Sequence, residues 1–137
     1  MTNEFITKIL TVALGGGMGS VMRYALSAVL LKKLGDGFPW ETLMVNLIGS
    51  FGIGFLGGWF EFNAASYHAR LFLITGVLGG FTTFSAFSLE NLLMIRNGES
   101  KLALMNIFLS VGVGILLASI GFILAETLAG GGRTGKL

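Results

Sequence analysis

The sequence predicts an all-α membrane protein with four transmembrane helices. Hydrophobic residues make up 53% of the 137-residue chain and charged residues only 12%, whereas soluble domains average about a quarter charged residues. The chain contains four apolar segments, each close to or above the roughly 20 residues that a helix needs to cross the hydrocarbon core. These segments are 5–31, 42–60, 71–95 and 102–128. The connections between them are short and polar, so we expect an up-down-up-down bundle with both termini on one side.

Composition also excludes several classes of function. The chain has no cysteine, hence no disulfide framework, thiolate ligand or cysteine nucleophile. Its single histidine, His68, lies in a polar connection and cannot form a metal site alone. The formal net charge is only +2 and the basic residues flank the apolar segments, where topology explains them. We therefore expect no nucleic-acid partner, and without a visible nucleophile–base pair we do not expect an enzyme.

The chain reads as one domain. Residues 1–129 hold the four segments, and the glycine-rich stretch 130–137 is interpreted as a flexible tail or an expression scar. We do not expect the first segment to be a signal peptide, because Arg23 interrupts it and no cleavage site follows cleanly.

The first segment carries a charge within its apolar sequence. Arg23 follows a run of glycines, and a charge at the bilayer centre costs about 2.5–3.5 kcal/mol on insertion scales. Arg23 is therefore expected to face a partner or to reach toward one end of the helix. Anchoring a helix end and contacting an ion directly both remain open.

The second and fourth segments also contain polar side chains. Asn46 lies about one turn inside the second segment, where an asparagine either bonds a neighbouring helix or lines a pathway. Asn106 and Ser110 are spaced i, i+4 in the fourth segment and share a face. That face either lines a polar track or bonds a backbone carbonyl.

The third segment is the least regular, because residues 76–90 combine three glycines with four hydroxyls and a carboxylate. Irregular backbone at membrane depth is tolerated only inside protein or beside a wet cavity. We expect the pair Gly79 and Gly80 to break the helix and to free carbonyls there and near Thr82. Freed carbonyls in a dry interior suit a cation such as Na⁺. Glu90, near the end of the segment, could cap the helix, pair with Arg96 or face a vestibule.

Downstream of the expected break, two phenylalanines share a helix face. Phe84 and Phe87 are spaced i, i+3, while Thr82, Ser85 and Ser88 fall on another face. The edge of a phenyl ring carries partial positive charge. Ring edges beside hydroxyl donors favour a small dehydrated anion, although ordinary packing would also explain both phenylalanines.

Charge distribution and small residues together are what a dual-topology antiparallel homodimer would show, and a single orientation set by other signals stays open. Basic residues are nearly balanced between the two sides of the bundle, so the orientation signal is weak. Rows of small residues four apart occur in every segment and let helix backbones approach closely, within one subunit and between subunits. The basic residues are Lys8, Arg70, Arg133 and Lys136 on one side, and Lys32, Lys33, Arg96 and Lys101 on the other.

Three motifs make the chain resemble the Fluc (CrcB-type) fluoride channels, which are small four-helix proteins that export fluoride as dual-topology homodimers. The motifs cover three of the four segments in the order and spacing of that family, and the third motif is highly specific. They are GGMGSVMRY at 16–24, VNLIGSF at 45–51 and GVLGGFTTFSAFSLE at 76–90.

The resemblance implies a fluoride-selective channel in the inner (plasma) membrane, a multi-pass protein with two pores at the interface of the homodimer. Phe84 and Phe87 would form an aromatic box around fluoride, and a structural Na⁺ would sit on the dimer axis. The remaining fluoride pathway implied for this chain is formed by Asn46, Thr83, Ser85 and Ser110. The backbone carbonyls of Gly79 and Thr82 would bind the Na⁺, and Arg23 and Glu90 would support the vestibule or the fold.

One residue departs from the family pattern, since Ala86 stands where the family usually has threonine. The change removes one hydroxyl from the expected pathway. It bears on the conduction rate more than on the identity of the family. The alternative function is a small proton-coupled multidrug exporter, also a four-helix dimer. That class needs a carboxylate within its first helix, but Glu4 precedes the apolar core here and Arg23 has the wrong sign.

Overall fold

The computed structural model describes residues 2–64 and 66–130, which form four long helical spans. Each span is long and apolar enough to cross a membrane, and each contains one of the four segments expected from the sequence. The first to fourth spans are Thr2–Leu34, Trp40–Phe62, Tyr67–Arg96 and Ser100–Leu128. The prediction of an all-helical chain with four apolar helices is confirmed. Of the tail expected at 130–137, residues 131–137 lie outside the described residues.

Short turns join the spans. Gly35 follows the first span with φ at 76°, and Gly98 lies between the third and fourth with φ at 84°. Glycine adopts this left-handed conformation without the steric cost of a Cβ atom. Before the third span, the Ser66 hydroxyl caps the helix by accepting the Ala69 N–H at 3.1 Å. The turns after the first and third spans are therefore short.

The spans pack in two close pairs, the first with the third and the second with the fourth. Glycines make both crossings possible. A Cβ atom on Gly15 would lie 3.0 Å from the Cα of Gly76, and one on Gly54 would collide with the carbonyl of Ala118. The rows of small residues therefore serve packing within the chain, which is one of their two expected roles. Many large apolar side chains remain exposed along all four spans.

The third span changes conformation along its length. It is α-helical over Tyr67–Arg70, π-helical over Leu71–Leu78 and α-helical again over Gly79–Phe81. Thr82 and Thr83 are then extended, with φ and ψ of −78° and 159° and of −148° and 117°, respectively. The α-helix resumes over Phe84–Arg96, so the irregular point comes just before the predicted phenylalanine pair.

The expected position of the break at Gly79 and Gly80 is wrong. Gly79 has helical φ and ψ of −63° and −36°, and Gly80 lies in the same helical turn. Gly80 has a steric role instead, because a Cβ atom there would collide with the backbone of Gly16 in the first span. These glycines permit close packing, and the extended residues are the threonines that follow.

Candidate functional site

A cavity of about 320 Å³ lies where the second, third and fourth spans meet, beside the extended residues. It is lined by four of the polar residues that the sequence singled out in these spans, Asn46, Thr82, Thr83 and Ser110. Amide, hydroxyl and aromatic groups all face it, together with two aliphatic side chains. Its lining consists of Asn46, Gly49, Ser50, Ile53, Thr82, Thr83, Phe84, Phe87, Ser110 and Val111.

Asn46 holds the extended backbone in place. Its Oδ1 accepts the Thr83 N–H at 2.8 Å, and its Nδ2 donates to the Thr83 carbonyl at 2.9 Å. A backbone group left unpaired at membrane depth would cost several kcal/mol. Asn46 pairs the Thr83 N–H, which has no acceptor within the helix, and adds a bond to the Thr83 carbonyl, which as the N-cap carbonyl also begins the following helix. Asn46 thus bonds a neighbouring span and lines the cavity as well, and its second amide hydrogen is left over from these two bonds.

The extended residues redirect two backbone amides away from their helical acceptors. In an uninterrupted helix, the N–H groups of Thr83 and Ala86 would reach the carbonyls of Gly79 and Thr82. The Thr83 N–H donates to Asn46 instead, and the Ala86 N–H donates to the Thr83 hydroxyl at 3.3 Å. The two carbonyls singled out from the sequence are therefore the ones whose usual donors are engaged elsewhere.

Gly49 allows the second span to approach this point. A Cβ atom on Gly49 would collide with the methyl group of Thr82. The hydroxyl of Thr82 turns back to the carbonyl of Leu78 at 2.9 Å. The side chain of Thr82 therefore packs against the second span and bonds its own helix.

The two phenylalanines lie side by side at the cavity. The ring centroids of Phe84 and Phe87 are 5.7 Å apart with the planes inclined by 38°. Phe84 is 79% exposed within the single chain, so its ring is not part of the buried core of this chain. Tilted rings present both faces and edges, and the electropositive edges can contact an anion.

The hydroxyls near the rings behave differently from the expected single face. The Oγ atoms of Thr83 and Ser85 are 3.4 Å apart, and Ser85 is exposed outside the cavity lining. Ser88 donates to the carbonyl of Phe84 at 2.8 Å. Thr82 precedes the helix that carries both serines, so the expected common face of Thr82, Ser85 and Ser88 is wrong.

Glu90 bonds a residue that the sequence did not single out. The Thr42 hydroxyl donates to Oε1 of Glu90 at 2.6 Å. Within the described part of the chain, Oε2 of Glu90 is buried without a hydrogen-bond partner, as is Oε2 of Glu41. The ion pair found among the described residues joins Lys8 and Glu4, so the pairing of Glu90 with Arg96 is not formed.

The fourth span contributes a serine backed by two buried amides. Ser110 lines the cavity, and its hydroxyl donates to Oδ1 of Asn106 at 3.4 Å. Asn106 in turn donates to Asn91 of the third span at 3.4 Å. Asn106 therefore lies behind the cavity wall, and of the predicted pair only Ser110 lines the cavity.

Arg23 lies outside this cavity, half-buried on the first span. Within residues 2–64 and 66–130 its guanidinium forms neither an ion pair nor a hydrogen bond. The structure thus does not bring Arg23 together with Asn46, Phe84 or Phe87.

Sequence reasoning missed four of the lining residues. Ser50 and Ile53 follow Asn46 at i+4 and i+7, so helical periodicity alone could have placed them on the face of Asn46. Gly49 was visible only as a small residue, and Val111 carried no distinguishing signal. The missed residues are Gly49, Ser50, Ile53 and Val111.

Comparisons with known proteins identify the family. Residues 10–122 match the family model described as CrcB-like protein, Camphor Resistance (CrcB). A protein of Thermus thermophilus named fluoride-specific ion channel FluC is 49% identical over 125 residues, covering 91% of this chain and 98% of the relative. Proteins of the same name are 46% identical in Rhizobium meliloti (88% of this chain, 97% of the relative) and 47% identical in Hyphomonas neptunium (87% and 95%). The chain belongs to the CrcB family.

Proposed function

We propose that this protein is a passive, fluoride-selective ion channel that exports fluoride across the bacterial plasma membrane. The relatives that match nearly its full length are named as fluoride-specific channels. The observation that carries the proposal is the cavity in which Phe84 and Phe87 lie beside Asn46, Thr83 and Ser110. The proposed channel domain is the single unit 1–129.

The chemistry of the cavity suits a small anion. A dehydrated anion needs hydrogen-bond donors or positive partial charge to replace its water. The ring edges of Phe84 and Phe87 supply partial positive charge, while Asn46 has an amide hydrogen beyond the one given to Thr83. The Thr83 hydroxyl accepts the Ala86 N–H and keeps its own proton for a neighbour such as Ser85 or an ion.

We further propose that two antiparallel copies assemble and form two pores at their interface. Only 11% to 28% of the most apolar window of each span is buried within one chain. Ser85 and Ser88 are exposed on the third span, and hydroxyls facing lipid are less favourable than hydroxyls facing protein. A second copy would cover this surface together with the exposed ring of Phe84. The nearly balanced basic residues support insertion in both directions.

The same region fits a structural Na⁺ held between the two copies. Na⁺ takes oxygen ligands, and the donors that would normally engage the carbonyls of Gly79 and Thr82 are bonded elsewhere. When bound, the ion would supply a fixed positive charge that joins the two extended segments. Backbone carbonyls of Gly79 and Thr82 from each copy would hold it, so we assign Na⁺ a structural role.

Two charged residues are proposed to support the entrance. Glu90 is held by Thr42 toward one end of the third span, and Arg23 has a guanidinium that is free within the described chain. We assign both to the vestibule or to the fold, and not to the aromatic box.

The decisive experiment measures fluoride efflux from liposomes that contain the purified protein, with chloride efflux measured in parallel. We expect rapid fluoride loss, little chloride loss and no dependence on an imposed proton gradient. Efflux that requires a proton gradient would indicate an exporter. A folded protein that releases neither ion would refute the assignment.

The aromatic box is tested by replacing Phe84 with isoleucine. The variant keeps an apolar side chain but removes the ring edge, so we expect fluoride efflux to fall at least about tenfold while assembly is retained. Phe5→Ile is the matched control, because Phe5 is exposed on the first span far along the chain from the cavity. Unchanged efflux in Phe84→Ile would contradict the role of this ring.

A further inference from the structure

Two asparagines form a buried amide pair between the third and fourth spans. Asn106 is 1% exposed and Asn91 is 6% exposed. Burying an amide away from water is unfavourable unless its polar atoms are hydrogen-bonded. An aliphatic side chain would fill either position without that cost, so the pair calls for a role beyond packing.

The pair connects the cavity serine to the backbone of a cavity phenylalanine. Ser110 donates to Asn106, and Asn106 donates to Asn91, both at 3.4 Å. Asn91 then donates to the carbonyl of Phe87 at 2.6 Å. One continuous series of hydrogen bonds therefore runs behind the cavity wall from Ser110 to Phe87.

The hydroxyl of Ser110 does not follow the pattern of five other hydroxyls within the spans. Serine and threonine in helices commonly bond the carbonyl four residues earlier, which turns the hydroxyl back onto its own helix. Ser110 bonds the side chain of Asn106 instead of its carbonyl. The hydroxyls that do bond the carbonyl four residues earlier are those of Thr7, Thr11, Thr82, Ser88 and Ser119.

We propose that Asn106, steadied by Asn91, is a positioning residue that keeps the Ser110 hydroxyl at the cavity. Oδ1 of Asn106 accepts a hydrogen bond from the Ser110 hydroxyl while the cavity holds no ion. The hydroxyl turns to donate to an anion when one arrives. Without Asn106 the hydroxyl returns to the backbone carbonyl of residue 106 and is lost to the cavity. This inference rests on the proposed fluoride conduction, in which Ser110 is part of the pathway.

A double-mutant cycle tests the coupling. Fluoride efflux is measured for the full-length protein and for Ser110→Ala, Asn106→Leu and the double variant, with assembly checked by size-exclusion chromatography. Each single change is expected to lower the rate about tenfold, as for the loss of a hydrogen bond to an ion. Because Asn106 acts through Ser110, the double variant is expected to be no slower than the slower single variant. A purely structural role would not produce this non-additivity.

Several results would overturn the inference. Losses that multiply in the double variant, or unchanged efflux in Asn106→Leu, would show that Asn106 does not act through Ser110. If Asn106→Leu fails to assemble, Asn91→Leu is used in the same cycle with the same expectation. Ser119→Ala serves as control, since Ser119 is exposed and bonds its own helix. Absence of efflux from the unmodified protein would instead refute the proposed function.

Discussion

The two halves of the third span are held in place by different forces. The half before the extended residues, up to Phe81, packs against the first span through glycines that leave no room for a Cβ atom. The half over Phe84–Arg96 is bonded by side chains. At its start and along its length, these hydrogen bonds join Asn46 to Thr83, Thr42 to Glu90 and Asn106 to Asn91.

This difference separates stability from chemistry within one helix. Close backbone approach supplies dispersion contacts where lipid provides no hydrophobic driving force between helices. Hydrogen bonds add directional contacts and leave polar groups at the cavity. Changes to the first half should therefore affect assembly, and changes to the second half should affect conduction.

The largest effect is expected at the glycine crossing. A Cβ atom on Gly19 would collide with the carbonyl of Val77, a backbone atom that cannot move aside cheaply. Gly19→Ala should therefore lower the thermal midpoint of the detergent-solubilised protein, since overpacking costs about 1–3 kcal/mol or more. Gly17→Ala is the matched control, because a Cβ atom there meets nothing within 4 Å. Equal midpoints for the two variants would refute this account of the crossing.

The next largest effect is expected at the junction of the two halves. Asn46→Leu removes both bonds to Thr83 and leaves the Thr83 N–H unpaired, at about 1–3 kcal/mol. We expect fluoride efflux to be abolished and the thermal midpoint to fall as well. Asn63→Ala is the control, because it removes only a hydrogen bond from the Asn63 amide to the carbonyl of Trp59 in the same span. This variant should change neither the efflux nor the thermal midpoint. Normal efflux in Asn46→Leu would show that the extended conformation does not depend on this side chain.

A smaller effect is expected near the end of the third span. Thr42→Val keeps the shape of the side chain but removes its 2.6 Å hydrogen bond to Glu90. A hydrogen bond to a charged group contributes about 1.5–3 kcal/mol, so fluoride efflux should decrease while the assembled fraction stays the same. Glu90→Gln can still accept from Thr42 and should be less impaired than Thr42→Val. The reverse order would point to the charge, and not the bond, as the important feature.

The smallest effect is expected at Ala86. This residue is half-buried in the first turn after the extended segment, and Ala86→Thr restores the hydroxyl that the family pattern usually has. We expect unchanged assembly and a fluoride efflux rate equal to or above that of the unmodified protein. A clear decrease would show that the alanine is adapted to its own surroundings.

The four spans were predictable because length and apolarity determine them almost alone. The position of the irregular backbone was not, because glycines were taken as helix breakers. Gly79 and Gly80 are helical instead, and Gly80 permits contact with the first span. Thr83 can be extended only because Asn46, 37 residues earlier in the chain, satisfies its backbone, and no local pattern reports such a distant bond.

Most of the cavity lining was predictable from residue type, whereas the hydrogen-bond partners were not. Phe84, Phe87 and Ser110 stood out as aromatic or polar residues in apolar surroundings. Thr42 and Asn91 lie at positions where periodicity predicts only burial. Each is important because it bonds a side chain of another span, Glu90 for Thr42 and Asn106 for Asn91. Which opposing side chains meet depends on how the helices are rotated about their axes, and sequence spacing does not determine that rotation.

The amide of Asn46 presents a donor and an acceptor to Thr83 in the way that a neighbouring peptide unit would. The chain is synthesised from its N-terminus, so the second span is made before Thr83. The partner for the extended backbone is thus already made when the third span enters the bilayer. The order of the spans therefore provides Asn46 before Thr83 needs it. With the order reversed, the extended backbone would face lipid before Asn46 had been made.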